Sequence, residues 1–402
     1  MYPIRRISRR ARRAGASTLL ASVAALGVLS SAVPSASAQS SPNVTIADIV
    51  DPVTEGSVAT FQVTVHGAHT QFTVDYKTVD GSGANGAIAG SDYTSTSSTL
   101  TIPADSKDTT VGVDVPTIND NVFEPDKKFH MNLSNSIYTI KRIQGDATIH
   151  SEDPLPVVTV RDAQVNEGDP PQLVKNTAMF EVLLSNPASE DVSVDYATVD
   201  KTNPDGSLAD DGALGTPGLG LPGDYRSVSG TLTFPAGTNP TKYVIVTTKP
   251  DLINEGNEQF YVQLSNATNS RLAGNGRATG TIVDDDPEPH INIDASASVW
   301  EGEPSPAPQS QVGLNVTLTN PSKHDVSFSY ETANGSALLN DYVASSGTVT
   351  IPSGSMSTGL LFDIKGDNRD EDNETFSVIL SNPSNNAKLG NSTGIVTIND
   401  DD

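Results

Sequence analysis

Beyond residue 38, apolar residues tend to recur at every second position in short stretches, and no stretch sustains a helical period. Phe61-Gln62-Val63-Thr64-Val65, Phe180-Glu181-Val182-Leu183-Leu184 and Val312-Gly313-Leu314-Asn315-Val316 are three of these stretches. Each comes after a Glu-Gly pair, at Glu55-Gly56, Glu167-Gly168 and Glu301-Gly302. Side chains along an extended chain point alternately to two faces, so each stretch predicts a strand with one face in a core. The later motifs of the chain keep one order three times. Val74-Asp75-Tyr76, Val194-Asp195-Tyr196 and Phe328-Ser329-Tyr330 lead through Gly-rich loops to Asp92-Tyr93, Asp224-Tyr225 and Asp341-Tyr342. Strands ending at Pro103, Pro235 and Pro352 come next, then acidic loops before Phe129, Phe260 and Phe376. Leu-Ser-Asn at 133–135, 264–266 and 380–382 precedes a closing strand with an acidic end.

Short strands separated by Gly, Pro and Asn turns predict sandwiches of about seven strands. The fold class expected is all-β, as three tandem antiparallel immunoglobulin-like β-sandwiches over 43–153, 157–286 and 290–402. Pro154-Leu155-Pro156 and Pro287-Glu288-Pro289 join them, and proline on both sides of one residue keeps a linker extended. The second repeat carries an insertion from Lys201 to Gly223, read as a surface excursion that could also make contacts.

The first 38 residues obey different rules. Arg5, Arg6, Arg9, Arg10, Arg12 and Arg13 precede a small-residue apolar stretch and the Ala36-Ser37-Ala38 cleavage pattern. That is the layout of a secretory signal peptide, and the apolar part near Leu19 to Leu29 is short for a bilayer span. No later segment is long and apolar enough to cross a membrane. The expected location is therefore secreted, extracellular and open to surface association.

Charge changes the picture further. The formal net charge is −25 and the pI about 4.4, so nucleic acid and anionic membrane are poor partners. The chain has no cysteine, so an exported fold must be braced by something other than disulfides. Carboxylates gather at Thr281-Ile282-Val283-Asp284-Asp285-Asp286 and Thr397-Ile398-Asn399-Asp400-Asp401-Asp402. One such run alone reads as a solvated acidic turn. Its return at the same point of a repeat reads as a hard-cation site, since calcium takes six to eight oxygens at about 2.3–2.6 Å. Magnesium prefers a compact octahedron with retained water, and zinc prefers His or Cys.

The Glu-Gly start, the Asp-Tyr pair, the acidic loop before Phe, the Leu-Ser-Asn and the terminal acidic run resemble the Calx-β domain. That family is the calcium-binding module of sodium–calcium exchanger regulatory loops, found also in an integrin tail and many bacterial surface proteins. The resemblance spans nearly everything after the signal peptide, in three copies. It implies calcium ions among loops at one end of each sandwich. Carried over by position, it implies as ligands Glu301, Asp341, Asp367, Glu371, Glu374, Asp400, Asp401 and Asp402 in repeat three. Repeat two supplies Glu167, Asp224, Asp251, Glu255, Glu258, Asp284, Asp285 and Asp286, with Pro250 in place of one loop carboxylate. Repeat one supplies Glu55, Asp92, Asp120, Glu124, Glu152 and Asp153. It departs at Lys127, opposite Glu258 and Glu374, and at Ser151, so fewer or weaker ions are expected there.

No HExxH, Gly-x-Ser-x-Gly or phosphate-cradling loop occurs, and cysteine chemistry is excluded. The expected function is not enzymatic: a secreted, calcium-stiffened structural or adhesive protein with an extracellular protein or glycan partner. An ion held by Asp284, Asp285 and Asp286 would lie at the joint before Pro287. The alternatives are a carbohydrate- or protein-binding module using the insertion or a sheet face, and an unrecognised hydrolase. One tryptophan, Trp300, and few aromatics count against a sugar platform.

Overall fold

The computed structural model describes residues 41–170, 176–216, 223–303 and 310–402; the expected signal peptide lies outside them. Among the described residues the regular elements are strands. Repeat one forms β1 (Asn43–Ile46), β2 (Val53–Thr54), β3 (Val58–His66), β4 (Phe72–Val79) and β5 (Ser97–Ile102). It continues with β6 (Thr109–Pro116), β7 (Lys127–Ser134), β8 (Thr139–Ile140) and β9 (Gln144–His150). Two sheets result, in the orders β6-β3-β1-β8 and β2-β9-β7-β4-β5. The corresponding strands of repeats two and three take the same two orders.

Among the described residues nine strands therefore stand in repeats one and three, and eleven in repeat two, where about seven were expected. The chain's opening strand divides between the sheets: β1 pairs antiparallel with β3, and β2 pairs in parallel with β9. The short β8 adds a second parallel contact, to β1. Two residues cannot display a period of two, so β2 and β8 leave no pattern in the sequence.

The alternation does what it predicts. In β3, Ala59, Phe61, Val63 and Val65 are buried while the residues between them stay at least partly exposed. Fully burying one such side chain contributes about 1.5–3 kcal/mol. Each repeat has its own core, built around Phe61 and Phe129, Phe180 and Phe260, or Phe362 and Phe376. Within each core a buried tyrosine stacks on the second phenylalanine: Tyr93 on Phe129 at 4.3 Å, Tyr225 on Phe260 and Tyr342 on Phe376 at 4.2 Å. The tyrosine hydroxyls donate to Asp80, Asp200 and Asn334 at 2.7, 2.5 and 2.6 Å. The Asp-Tyr pair thus anchors its loop by the ring and leaves the aspartate at the mouth of the sandwich.

The described parts of the insertion are more than a surface excursion. Ala213 is fully buried in the core of repeat two, and Lys201 donates to Gln259 at 2.8 Å.

The joints are built alike. Asn186 donates to the carbonyl of Pro154 at 2.9 Å, and Asn320 to that of Pro287 at 2.6 Å. The backbone of Phe123 pairs with Ala188, through Phe123 N to Pro187 O and Ser189 N to Phe123 O, both 2.9 Å. Asn254 pairs in the same way with Ser322, through Asn254 N to Pro321 O at 3.1 Å and Lys323 N to Asn254 O at 3.0 Å. At each joint, the acidic loop of one repeat runs beside a loop of the next repeat that crosses from one of its sheets to the other.

Candidate metal centres

Strand register brings four segments of each repeat to one end. In repeat one Val58 faces Pro116, Val79 faces His130 and Lys127 faces Ile149. The Glu-Gly turn, the Asp-Tyr loop, the acidic loop and the terminal run therefore meet. Local chemistry then sets each carboxylate. Gly56, Gly168 and Gly302 have φ of +70°, +87° and +77°, a region costly for other residues, and this turns the preceding glutamate inward. Asp120, Asp251 and Asp367 each accept from the amide two residues on, at 2.7, 2.8 and 2.8 Å, the self-turn aspartate favours. One oxygen of Asp92, Asp224 and Asp341 is held by a loop amide at 2.5, 2.5 and 2.6 Å, from Ile88, Leu214 and Leu338.

In repeat two, carboxylate oxygens converge in overlapping groups whose members lie within 4.8 Å of one another. Glu167 joins Asp251 and Glu255; Glu167 also joins Asp284 and Asp286; Asp224 joins Glu255 and Glu258. Repeat three brings together Glu301, Asp367 and Asp402, and repeat one Glu55, Asp120 and Asp153. The terminal runs obey the alternation of an extended chain. Asp284 and Asp286 face the cluster, while the exposed Asp285 accepts from the amide of Gly168 at 2.9 Å. Asp401 accepts from Gly302 at 3.1 Å, and Asp400 from Glu371 N at 3.2 Å. Glu371 also pairs with the exposed Arg369 at 2.8 Å. In repeat one the exposed Glu152 bonds to Asn119.

The slot beside the Asp-Tyr aspartate differs in every repeat. Lys127 Nζ in repeat one lies 2.8 Å from Asp92 and 2.6 Å from Glu124. Burial alone would lower the Lys127 pKa, but the hydrogen bonds and charges of Asp92 and Glu124 together outweigh it and hold it above the ordinary lysine value. Glu258 takes that position in repeat two; it is 2% exposed and forms an ion pair with Lys323, from repeat three. In repeat three Glu374 is pushed up to about 7, first by burial and then by its hydrogen bond with Asp341.

Sequence reasoning missed Lys323. Comparing aligned repeats at Pro187-Ala188-Ser189 and Pro321-Ser322-Lys323 marks the position as different, but only the joint shows where the ammonium goes. The loop position of Pro250 is Gly366 in repeat three, where a Cβ would lie 1.6 Å from the carbonyl of Gly302. No side chain, carboxylate included, fits there on this backbone.

Clusters of this kind suit a hard divalent cation. Burial and neighbouring carboxylates push Glu167 up to about 9, with Asp251 and Glu255 the largest of those neighbours. Burial is also the main cause that takes Glu55, Glu255 and Glu301 to about 7 and Asp286 to about 6. Buried oxygens of Glu55, Glu167, Asp286, Glu301 and Asp400 have no hydrogen-bond partner among the described residues. An unpartnered buried carboxylate costs several kcal/mol, and a bound cation removes that cost. The five converging groups named above contain carboxylates only, on loops of mixed geometry, which favours calcium over zinc or a strict magnesium octahedron.

The model of the Calx-beta domain matches residues 43–154, 215–286 and 308–402. Among solved structures, the chain is similar to the apo form of the Calx CBD1 domain, at 24% identity over 28% of this chain and 99% of that one, with a TM-score of 0.25. It is similar also to the calcium binding domain CBD12 of CALX1.1, at 18% identity over 60% of this chain and 98% of that one, TM-score 0.26. No curated protein matches it.

Proposed function

Because this chain belongs to the Calx-beta family, whose domains are calcium-binding modules, we propose that it is a secreted calcium-binding protein with a structural or adhesive role outside the cell. The observation that carries this reading is the recurrence, at the same end of all three sandwiches, of buried carboxylate oxygens lacking a partner among the described residues. The ligands proposed in repeat two are Glu167, Asp224, Asp251, Glu255, Asp284 and Asp286; Glu301, Asp341, Asp367, Glu371, Glu374, Asp400 and Asp402 serve repeat three. Glu55, Asp120 and Asp153 make a smaller centre in repeat one, because Lys127 already satisfies Asp92 and Glu124. The centres of repeats one and two adjoin a joint, so bound calcium would stiffen the connection as well as the sandwich. The protein partner or glycan is extracellular, and the role is binding and spacing rather than turnover.

Calorimetric titration of the secreted chain with calcium, beside magnesium, tests this. Modules working outside the cell bind at about 10⁻⁴–10⁻³ M, and saturation at a hundred times Kd adds about 2.7 kcal/mol of stability. Calcium should therefore raise the melting temperature and give a saturable heat change on titration. Identical melting curves in chelator and in millimolar calcium would end the proposal.

A further inference from the structure

We propose that Lys323 of repeat three is a built-in cation of the repeat-two centre: its ammonium takes the place of one calcium ion and ties the two repeats together. The proposal rests on the calcium reading of that centre. Two aligned positions exchange charge between the repeats. Repeat one has Lys127 where repeat two has Glu258, and repeat two has Ser189 where repeat three has Lys323. Repeat one thus carries its lysine inside its own acidic loop. Repeat two carries a glutamate there and receives a lysine from the next repeat.

Geometry supports the exchange. Lys323 N donates to Asn254 O at 3.0 Å, fixing the residue beside the acidic loop of repeat two. From there its side chain, about one-quarter exposed, reaches Glu258, whose side chain is 3% exposed. Glu258 also shares a cluster with Asp224 and Glu255. Lysine's field acts favourably on both of those carboxylates. The Oε2 of Glu258 is buried with no hydrogen-bond partner among the described residues, so the ion pair with Lys323 is the direct contact that offsets this carboxylate. At the first joint the equivalent backbone pairing is present, but Ser189 brings no charge and Lys127 is already in place.

An ammonium and a calcium ion cannot share three carboxylate oxygens, so the lysine should lower the number of ions repeat two holds. It should also link repeats two and three whether or not calcium is present. The test uses the full secreted chain and its Lys323→Gln variant, whose change lies on a loop outside the three cores. Calcium bound per chain is counted by equilibrium dialysis. The spread of distances between spin labels at Thr233→Cys and Thr350→Cys is measured in chelator, which the cysteine-free sequence makes clean. The variant should bind one more calcium ion and show a broader distance distribution. Either quantity staying at its wild-type value overturns the proposal. Equal, non-zero calcium counts overturn it alone, whereas no calcium bound by either protein overturns the calcium reading as well. Transplanting the device provides a second check: Lys127→Glu with Ser189→Lys should keep the calcium count of the wild type, and Lys127→Glu alone should raise it.

Discussion

Repeats one and two have the same strand order, the same Asp-Tyr anchor and the same joint pairing, yet they neutralise one carboxylate slot by opposite routes. In repeat one the cation is internal: Lys127 sits between Asp92 and Glu124. In repeat two it comes across the joint, from Lys323 to Glu258. Repeat three shows neither arrangement among the described residues, and burial followed by a hydrogen bond with Asp341 pushes Glu374 up to about 7. The difference teaches that the charge of such a centre belongs to the assembly of repeats. Counting acids within one repeat misjudges it.

The largest expected effect comes from removing the internal cation. Lys127→Met leaves Asp92 and Glu124 buried and uncompensated, and breaking such a pair costs about 3–5 kcal/mol. Urea denaturation in chelator should show repeat one losing that much stability, with calcium restoring part of it. An unchanged midpoint would mean that the lysine is a bystander.

Next in size is the dependence on pH. Glu55, Glu255 and Glu301 are raised to about 7 and Glu167 to about 9, from an ordinary value of 4.5. A raised carboxyl contributes stability that is fully present below its unfolded value and lost as pH climbs through its folded value. The calcium-free chain should therefore be most stable near pH 4.5 and weaken towards pH 7, with Glu167 continuing the loss towards pH 9. Calcium replaces those protons, so the rise in melting temperature that it causes should grow across the same window. Melting curves with and without calcium from pH 5 to pH 8 check this; a gain that shrinks with pH contradicts it.

A smaller contrast separates repeats two and three. Glu258→Gln removes the ion-pair partner of Lys323, whereas Glu374→Gln retains a donor towards Asp341. In chelator the first should cost the more stability, and thermal melts of the two variants compare them directly. The smallest effect concerns the terminal run. Asp286 faces the cluster and Asp285 caps the Gly168 amide, a contact worth about 0.5–1.5 kcal/mol. Asp286→Ala should abolish more calcium binding than Asp285→Ala, read by calorimetry. This refines the sequence expectation, which treated Asp284, Asp285 and Asp286 as equivalent ligands.

Much of the fold was legible in the residues. The period of two, the Gly and Pro turns and the threefold order of motifs are local properties, and they predicted three sandwiches and the acidic end of each. The two-residue strands β2 and β8 were not legible, because so short a segment carries no period. The local turns that carry many of the candidate carboxylates were legible too, since aspartate turns and Glu-Gly turns are set by neighbours in sequence. Which of three adjacent aspartates faces inward required the actual direction of an extended chain against the Glu-Gly turn. The counter-charge of Glu258 depended on tertiary structure alone. Electrostatic attraction acts through space, and the ammonium that meets this carboxylate lies on a loop of the next repeat, held there by a backbone pairing that no periodicity in the sequence records.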